Sequence, residues 1–468
     1  MATRYILFWF DVEDCTVTQS DDAVKRLCQI LTKHGVRGTM KLVGQKARML
    51  RERVRYDVID ALAEHAIGYH ANWHGLRPQP AEYMGALDWL EGGAEFDRRE
   101  CVGLVDLRDL WGITPVCYGQ PGSNWSPQVF PVLRRWGIPT YVSGFGYVGL
   151  HAQPFYYGGI VNTSHMYGRD RRGREVRHMF GLNFELGQPG ALEEHQRLFA
   201  ESYNALEDGG LISIMNHPCT LVLEEWFSTN MKSRELTEAG YEHFETFVTQ
   251  VLSHPEVKTV SANELPSLYP DRTRDRVFSA EELLAIARSV GEEINYYEAD
   301  GLSLSPAEIF GMSARFLARV TQDGIVPEAE TCRHLDGPAH SATSTVSGFT
   351  VEADEFLASL RDTALFLDLH GRLPEVVRIG QRRVTPGDYH VALAQAVSEV
   401  LSGGKMPTEV RFVPATSKVD EHVDEEAAES AWRSVMMLPG FAAHRLLEQA
   451  YLQAWTLKPA ILSPLSSA

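Results

Sequence analysis

Residues Phe10-Asp11-Val12-Glu13-Asp14 set three carboxylates within four positions, directly after an apolar run. Packed together without a cation, these groups would repel one another. The cluster therefore suits a metal ligand set or a general base at a strand end, or else a solvated loop in which Asp14 or Ser20 caps the next helix. A second group, Gly68-Tyr69-His70-Ala71-Asn72-Trp73-His74, spaces two histidines at i and i+4. On a helical turn that spacing puts both imidazoles on one face, where they can converge on one divalent ion. Two histidines and a carboxylate with open positions describe a catalytic, zinc-type site. A third signal is Met215-Asn216-His217-Pro218, a histidine closing an apolar strand. Placed at the same mouth, His217 suits a general acid that protonates a leaving amine.

Such residues need a scaffold that brings them together. The hydrophobic pattern over the first 270 residues alternates short strands (5–10, 38–43, 67–70, 116–118, 139–142, 211–215, 257–260) with helices (21–34, 56–65, 128–136, 191–207, 237–253). Repeated β-α alternation implies a mainly parallel sheet or barrel with helices outside, and chemistry at the C-terminal strand ends. The carboxylates, His70, the Gln120-Pro121-Gly122 turn and His217 all fall at such ends.

The whole composition is that of a globular protein. The chain has 468 residues, 44% hydrophobic and 23% charged, which predicts two domains and excludes a disordered or fibrous chain. Its net charge of −18 disfavours nucleic acid or an anionic membrane as partner. There is no run of about 18 apolar residues, so no membrane span is expected. The apolar start meets Asp11 too soon for a signal peptide, and a cytoplasmic location is the expectation. Cysteines 15, 28, 101, 117, 219 and 332 form no C-x-x-C pair, which argues against a disulfide scaffold or a cysteine zinc site.

Taken in order, Asp11-Val-Glu-Asp14, His70-x-x-x-His74, Tyr118-Gly-Gln-Pro-Gly122 and Met215-Asn-His217 resemble the motifs of the polysaccharide deacetylase superfamily, the NodB-homology, carbohydrate esterase family 4 group. The resemblance covers roughly residues 4–268. It implies an α/β fold, a distorted incomplete (β/α) barrel, with one divalent metal. Zinc is the default, and cobalt, nickel or manganese would fit the same ligands. It implies hydrolysis of a non-peptide carbon–nitrogen amide bond, an N-deacetylase on an N-acetylated sugar or related N-acyl compound. Carried over by position, Asp11 matches the catalytic base and His217 the acid. His70 and His74 match the metal histidines, Glu13 or Asp14 the metal carboxylate, and Gly122 the oxyanion N–H. Trp73 and Trp125 are candidates to stack on a sugar. The chain departs from the family at motif three, where its arginine aligns with Gly119, so another group must orient Asp11 or the role of Asp11 is altered. Two alternatives stand beside this reading: a cyclic-amide hydrolase of the allantoinase type, and a catalytically silent carbohydrate-binding protein.

A boundary is expected near the polar run at 270–276, dividing residues 1–270 from a mainly helical accessory region, 271–468. Within it, Leu304-Ser-Pro-Ala-Glu…Gly324-Ile-Val-Pro-Glu328 parallels Val351-Glu-Ala-Asp-Glu…Gly371-Arg-Leu-Pro-Glu375 at an offset of 47, and Ser305-Pro306 and Thr385-Pro386 each open an amphipathic helix, suggesting a duplicated helical unit. This region faintly resembles pseudomurein-binding-type repeats. The competing expectation is a helical domain that packs on the barrel or makes a homo-oligomer.

Overall fold

The computed structural model describes residues 3–462 apart from 164, 167, 227, 346–347, 434–436 and 442. Its organising element is the strand Arg4–Val12, whose RYILFWFDV sequence is buried from Ile6 onward. A run that apolar suits a strand flanked on both sides and covered on both faces. The strand pairs in parallel with Leu211–Asn216 on one edge. On the other edge its second half pairs with Thr39–Leu42 and its first half with Val257–Val260. Ala66–Tyr69 follows Thr39–Leu42, and Met179–Gly181 follows Leu211–Asn216, all parallel. Beyond Ala66–Tyr69 the ladder continues through Tyr118, which bridges Tyr69 and Tyr141, to Thr140–Tyr141 and Ile160–Asn162. An antiparallel hairpin with Phe155–Tyr157 then leads to Lys458–Pro459 near the chain's end. Among the described residues no ladder joins this end of the sheet to the Met179–Gly181 end.

Helices Gln19–Lys33, Tyr56–Ala63 and Arg234–Leu252 pack outside the sheet, close to their expected positions. The longest helix, Trp89–Trp111, was not read from the sequence. Three glycines interrupt its apolar pattern, and Gly103 explains one of them. A Cβ there would meet Tyr69 Oη at 2.6 Å and Asn72 Cα at 2.9 Å. The helix lies hard against the segment that carries the two histidines, which only glycine permits.

A second apolar core begins after residue 277. It holds two units of the same order. Val277–Ser279, Ala280–Ser289, the hairpin Tyr297–Ala299/Leu302–Leu304, Pro306–Asp323 and Ala329–Thr331 form the first. Phe349–Glu352, Ala353–His370, the hairpin Val377–Ile379/Arg382–Val384, Pro386–Gly403 and Glu409–Phe412 form the second. In each, the outer strands pair antiparallel. The topological repeat therefore matches Pro306 with Pro386, the two helix starts the sequence shows at Ser305-Pro306 and Thr385-Pro386, and not Leu304 with Val351. The offset of 47 aligned the second helix of one unit with the first helix of the next. Both helices run 18 residues and end on a left-handed glycine, Gly324 and Gly371, so their end signals look alike.

The expected division at 270 also needs amendment at its far side. Val419, Val423, Ala428, Ala443, Leu446, Ala450 and Leu457 join the core of the first region, not the second. The two cores are tied by charge as well. Arg134 Nη2 donates to both carboxylate oxygens of Asp336 at 2.8 Å, and buried Lys458 holds Asp271 and Glu308. No helix among the described residues is long and apolar enough to cross a membrane.

Candidate functional site

Strand alternation decides which carboxylates face the mouth. Asp11 and Glu13 point the same way from the end of the central strand, while Val12 between them is buried in the core. Asp14 lies past the strand and turns back on its own loop. Its side chain accepts from the Thr16 hydroxyl, from Thr16 N–H at 3.3 Å and from Val17 N–H at 3.4 Å. Of the two carboxylates left open by the sequence, the structure thus brings Glu13 to the histidines and leaves Asp14 as a turn cap. Ser20, the other expected cap, sits inside the helix and donates to Val17 O at 2.8 Å.

Glu13 Oε2 lies 3.1 Å from His70 Nε2 and 3.2 Å from His74 Nε2, with all three side chains almost fully buried. The histidines converge without the expected helical turn, because residues 70–76 are a loop. Ala71 takes a left-handed φ of 66°, which swings the chain so that His74 returns to the site. The loop is pinned from behind. Asn72 N–H donates to buried Glu100 at 2.5 Å, Tyr83 OH donates to the same carboxyl at 3.1 Å, and Arg48 holds the Asn72 amide oxygen at 2.9 Å. His70 Nδ1 lies 2.7 Å from the Gly119 carbonyl. A carbonyl oxygen only accepts, so Nδ1 is the donor there, and Nε2 is the ring nitrogen left facing Glu13.

His217 follows the strand Leu211–Asn216, as expected. Asn183 Oδ1 accepts from both its backbone N–H (3.1 Å) and its Nδ1 (3.0 Å). Nε2 is thereby aimed at Asp11 Oδ2, 3.5 Å away, and at Glu13 Oε1, 4.0 Å away. Asp11 Oδ1 lies 3.4 Å from His70 Nδ1 and 2.9 Å from Lys41 Nζ.

These groups form two overlapping triads, Glu13–His70–His74 and Asp11–Glu13–His217, each able to hold a metal ion. The donor chemistry of the first fits a divalent ion. Burial works to raise the Glu13 carboxyl, but the imidazoles of His74, His217 and His70 outweigh it and hold Glu13 well below its ordinary range. Burial pushes His74 down, favouring its neutral form. A buried carboxylate oxygen 3.1 and 3.2 Å from two imidazole Nε2 atoms is a donor set that a divalent cation completes.

The remaining sequence candidates divide. Gly122 follows the Gly119 carbonyl that holds His70, with a left-handed φ of 48°. Trp73 is 39% exposed on the histidine loop, with the Arg48 guanidinium 4.7 Å from its ring. Trp125 does not reach the mouth. It is 2% exposed and packs on Tyr147, Phe130 and Tyr157 at centroid distances of 4.8, 6.4 and 6.0 Å. Sequence reading missed Lys41, Asn183 and Trp226. The last is 40% exposed with its ring edge-on to His217 at 4.7 Å. Asn183 and Trp226 carried no motif signal, whereas Lys41 could have been found as a charge inside an apolar strand.

No family model and no curated protein matches the chain. Solved structures that resemble it include carbohydrate esterase family 4 proteins. One is a family 4 acetyl xylan esterase from Clostridium thermocellum in complex with cobalt, 16% identical over 57% of this chain and 91% of that one, TM-score 0.31. Another is the Xyl-CE4 domain of a multidomain xylanase from the hindgut metagenome of Trinervitermes trinervoides, 10% identical over 57% and 90%, TM-score 0.32. A third is a CE4 family pseudoenzyme from Bacillus anthracis, 13% identical over 55% and 64%, TM-score 0.31.

Proposed function

We propose that this chain is a metal-dependent hydrolase of non-peptide carbon–nitrogen bonds, an N-deacetylase acting on an N-acetylated sugar or a related N-acyl compound. The observation that carries the reading is the opposition of two sets at one strand mouth. Glu13, His70 and His74 converge as ligands, while Asp11 and His217 face them as an acid–base pair, 3.5 Å apart. What a divalent ion held by Glu13, His70 and His74 would supply is Lewis acidity toward an acyl oxygen and a lowered pKa for water beside it.

The chain's own residues do the rest. Asp11 accepts the proton of the attacking water. His217, with Nδ1 fixed on Asn183, gives a proton from Nε2 to the departing nitrogen. The Gly122 N–H serves the developing oxyanion. Exposed Trp73 and Trp226 offer flat apolar faces beside the mouth, of the kind that pack against a sugar ring.

The test is elemental analysis of protein purified without chelator, comparing wild type with His70→Ala plus His74→Ala, followed by hydrolysis assays on N-acetylated sugars and cyclic amides. About one equivalent of metal, lost in the double variant, with amine release from N-acyl sugars, is the expected result. Absence of metal after reconstitution would overturn the mechanism. Turnover of cyclic amides alone would replace the substrate class.

A further inference from the structure

We propose that Lys41 is the positioning residue for Asp11, a cation delivered from the second strand because residue 119 has no room for a side chain. This rests on the hydrolase reading of the same site.

Three neighbouring strands build a slot for this one side chain. Asp11 and Lys41 are register partners on adjacent parallel strands, and Lys41 is in turn the register partner of Gly68. Partners on one face of a sheet project side by side. A Cβ at Gly68 would lie 2.9 Å from Lys41 Cγ and 2.6 Å from Cys117 Sγ, so the glycine leaves space for the lysine stem. A Cβ at Gly119 would lie 2.5 Å from Lys41 Nζ and 2.0 Å from the Val142 carbonyl. The head of Lys41 thus fills the space into which any side chain at 119 would have to grow.

The ammonium is held on three sides. It pairs with Asp11 Oδ1 at 2.9 Å, donates to Val142 O at 3.0 Å and lies 4.0 Å from the Trp9 ring centroid. Trp9 is itself fixed by donation from Nε1 to Ser213 Oγ at 2.8 Å. Lys41 is 1% exposed, so these partners stand in for the water its head group would otherwise have. With Oδ1 facing the ammonium as an ion pair, Asp11 keeps Oδ2 toward His217. The cation therefore sets which oxygen of Asp11 faces the reacting space, and it touches no substrate itself.

The test is a double-mutant cycle on the metal-loaded full chain, Lys41→Met with Asp11→Asn, read as kcat and KM on an N-acyl substrate with metal content measured in parallel. Lys41→Met keeps the stem and removes the charge. Its metal content and KM should stay within about threefold of wild type while kcat falls roughly 10²-fold or more, the scale of a disabled general base. In the Asp11→Asn background the same change should add less than about threefold, since the base it positions is gone. Retained kcat in Lys41→Met, or effects that simply multiply, would overturn the proposal. Should Lys41→Met not fold, Lys41→Gln, which keeps a donor for Val142 O without the charge, takes its place with the same expectations. If wild type holds metal but turns over no N-acyl compound, the hydrolase reading fails separately. The positioning is then judged by crystallography: an Asp11 rotamer unchanged in Lys41→Met overturns it, and rotation of Asp11 away from His217 supports it.

Discussion

Replacing Lys458 with methionine should destabilise the chain strongly, and in a pH-dependent way. Its ammonium lies 2.7 Å from Asp271 Oδ1, 2.8 Å from Thr273 Oγ1, and 2.8 and 2.9 Å from the two oxygens of Glu308. Side-chain exposure is 3% for the lysine, 9% for Asp271 and 1% for Glu308. Methionine fills the volume but leaves two carboxylates without their cation. Breaking a buried pair on one side costs about 3–5 kcal/mol. For a cooperative unit of roughly 150–250 residues this is a fall in Tm of about 6–20 °C. Burial works to raise the Asp271 carboxyl, yet Lys458 holds it below its ordinary value. Burial works against the Lys458 charge, yet Glu308 and Asp271 hold it above its ordinary value. A lowered carboxyl contributes stability above its unfolded pKa and loses it as pH falls. A raised ammonium contributes below its unfolded pKa and loses it only as pH rises through the folded value. The network is therefore fully engaged between about pH 5 and pH 10. In Lys458→Met burial acts on the orphaned carboxylates with no cation to oppose it, so the deficit should be greatest near pH 8 and shrink on acidification as they take up protons. Scanning fluorimetry of both proteins from pH 4.5 to pH 8 reads this directly. A loss under about 2 °C at pH 8, or one equal at all pH values, would refute the reasoning.

Gly103→Ala should cost about 1–3 kcal/mol by overpacking. Because its Cβ would push on Asn72, it should also weaken metal binding roughly 10- to 100-fold by competition titration. Asn183→Leu should lower kcat about 10²-fold at constant metal content by freeing His217, while Asn183→Asp keeps the acceptor and most activity. Trp125→Ala should lose about 3–5 kcal/mol in urea unfolding, as core tryptophans do. Trp73→Ala should change stability by less than about 1 kcal/mol and raise KM instead.

The sequence by itself determined the residues that could do chemistry and the strand ends that carry them. Asp11, His70, His74 and His217 follow from residue type and spacing, because a parallel sheet sends every strand's C-terminal end to one side. Alternation also placed Glu13 with Asp11, though it could not dismiss Asp14, whose capping bonds to Thr16 and Val17 are a property of the folded loop. Spacing alone predicted a helical turn for His70 and His74. The same convergence is achieved by a left-handed Ala71 and a loop clamped by Glu100, partners 28 and 31 residues away from Asn72 and Tyr69. Only tertiary structure decided what replaces a side chain at Gly119, since Lys41 reaches that space from a strand nearly eighty residues earlier in the chain. Contacts between distant segments leave no periodic trace in either one. The same holds for the final strand. Lys458 and Pro459 extend the sheet beside Tyr156 and Phe155, and burial of Lys458 among Asp271, Thr273 and Glu308 exists only once both cores have formed.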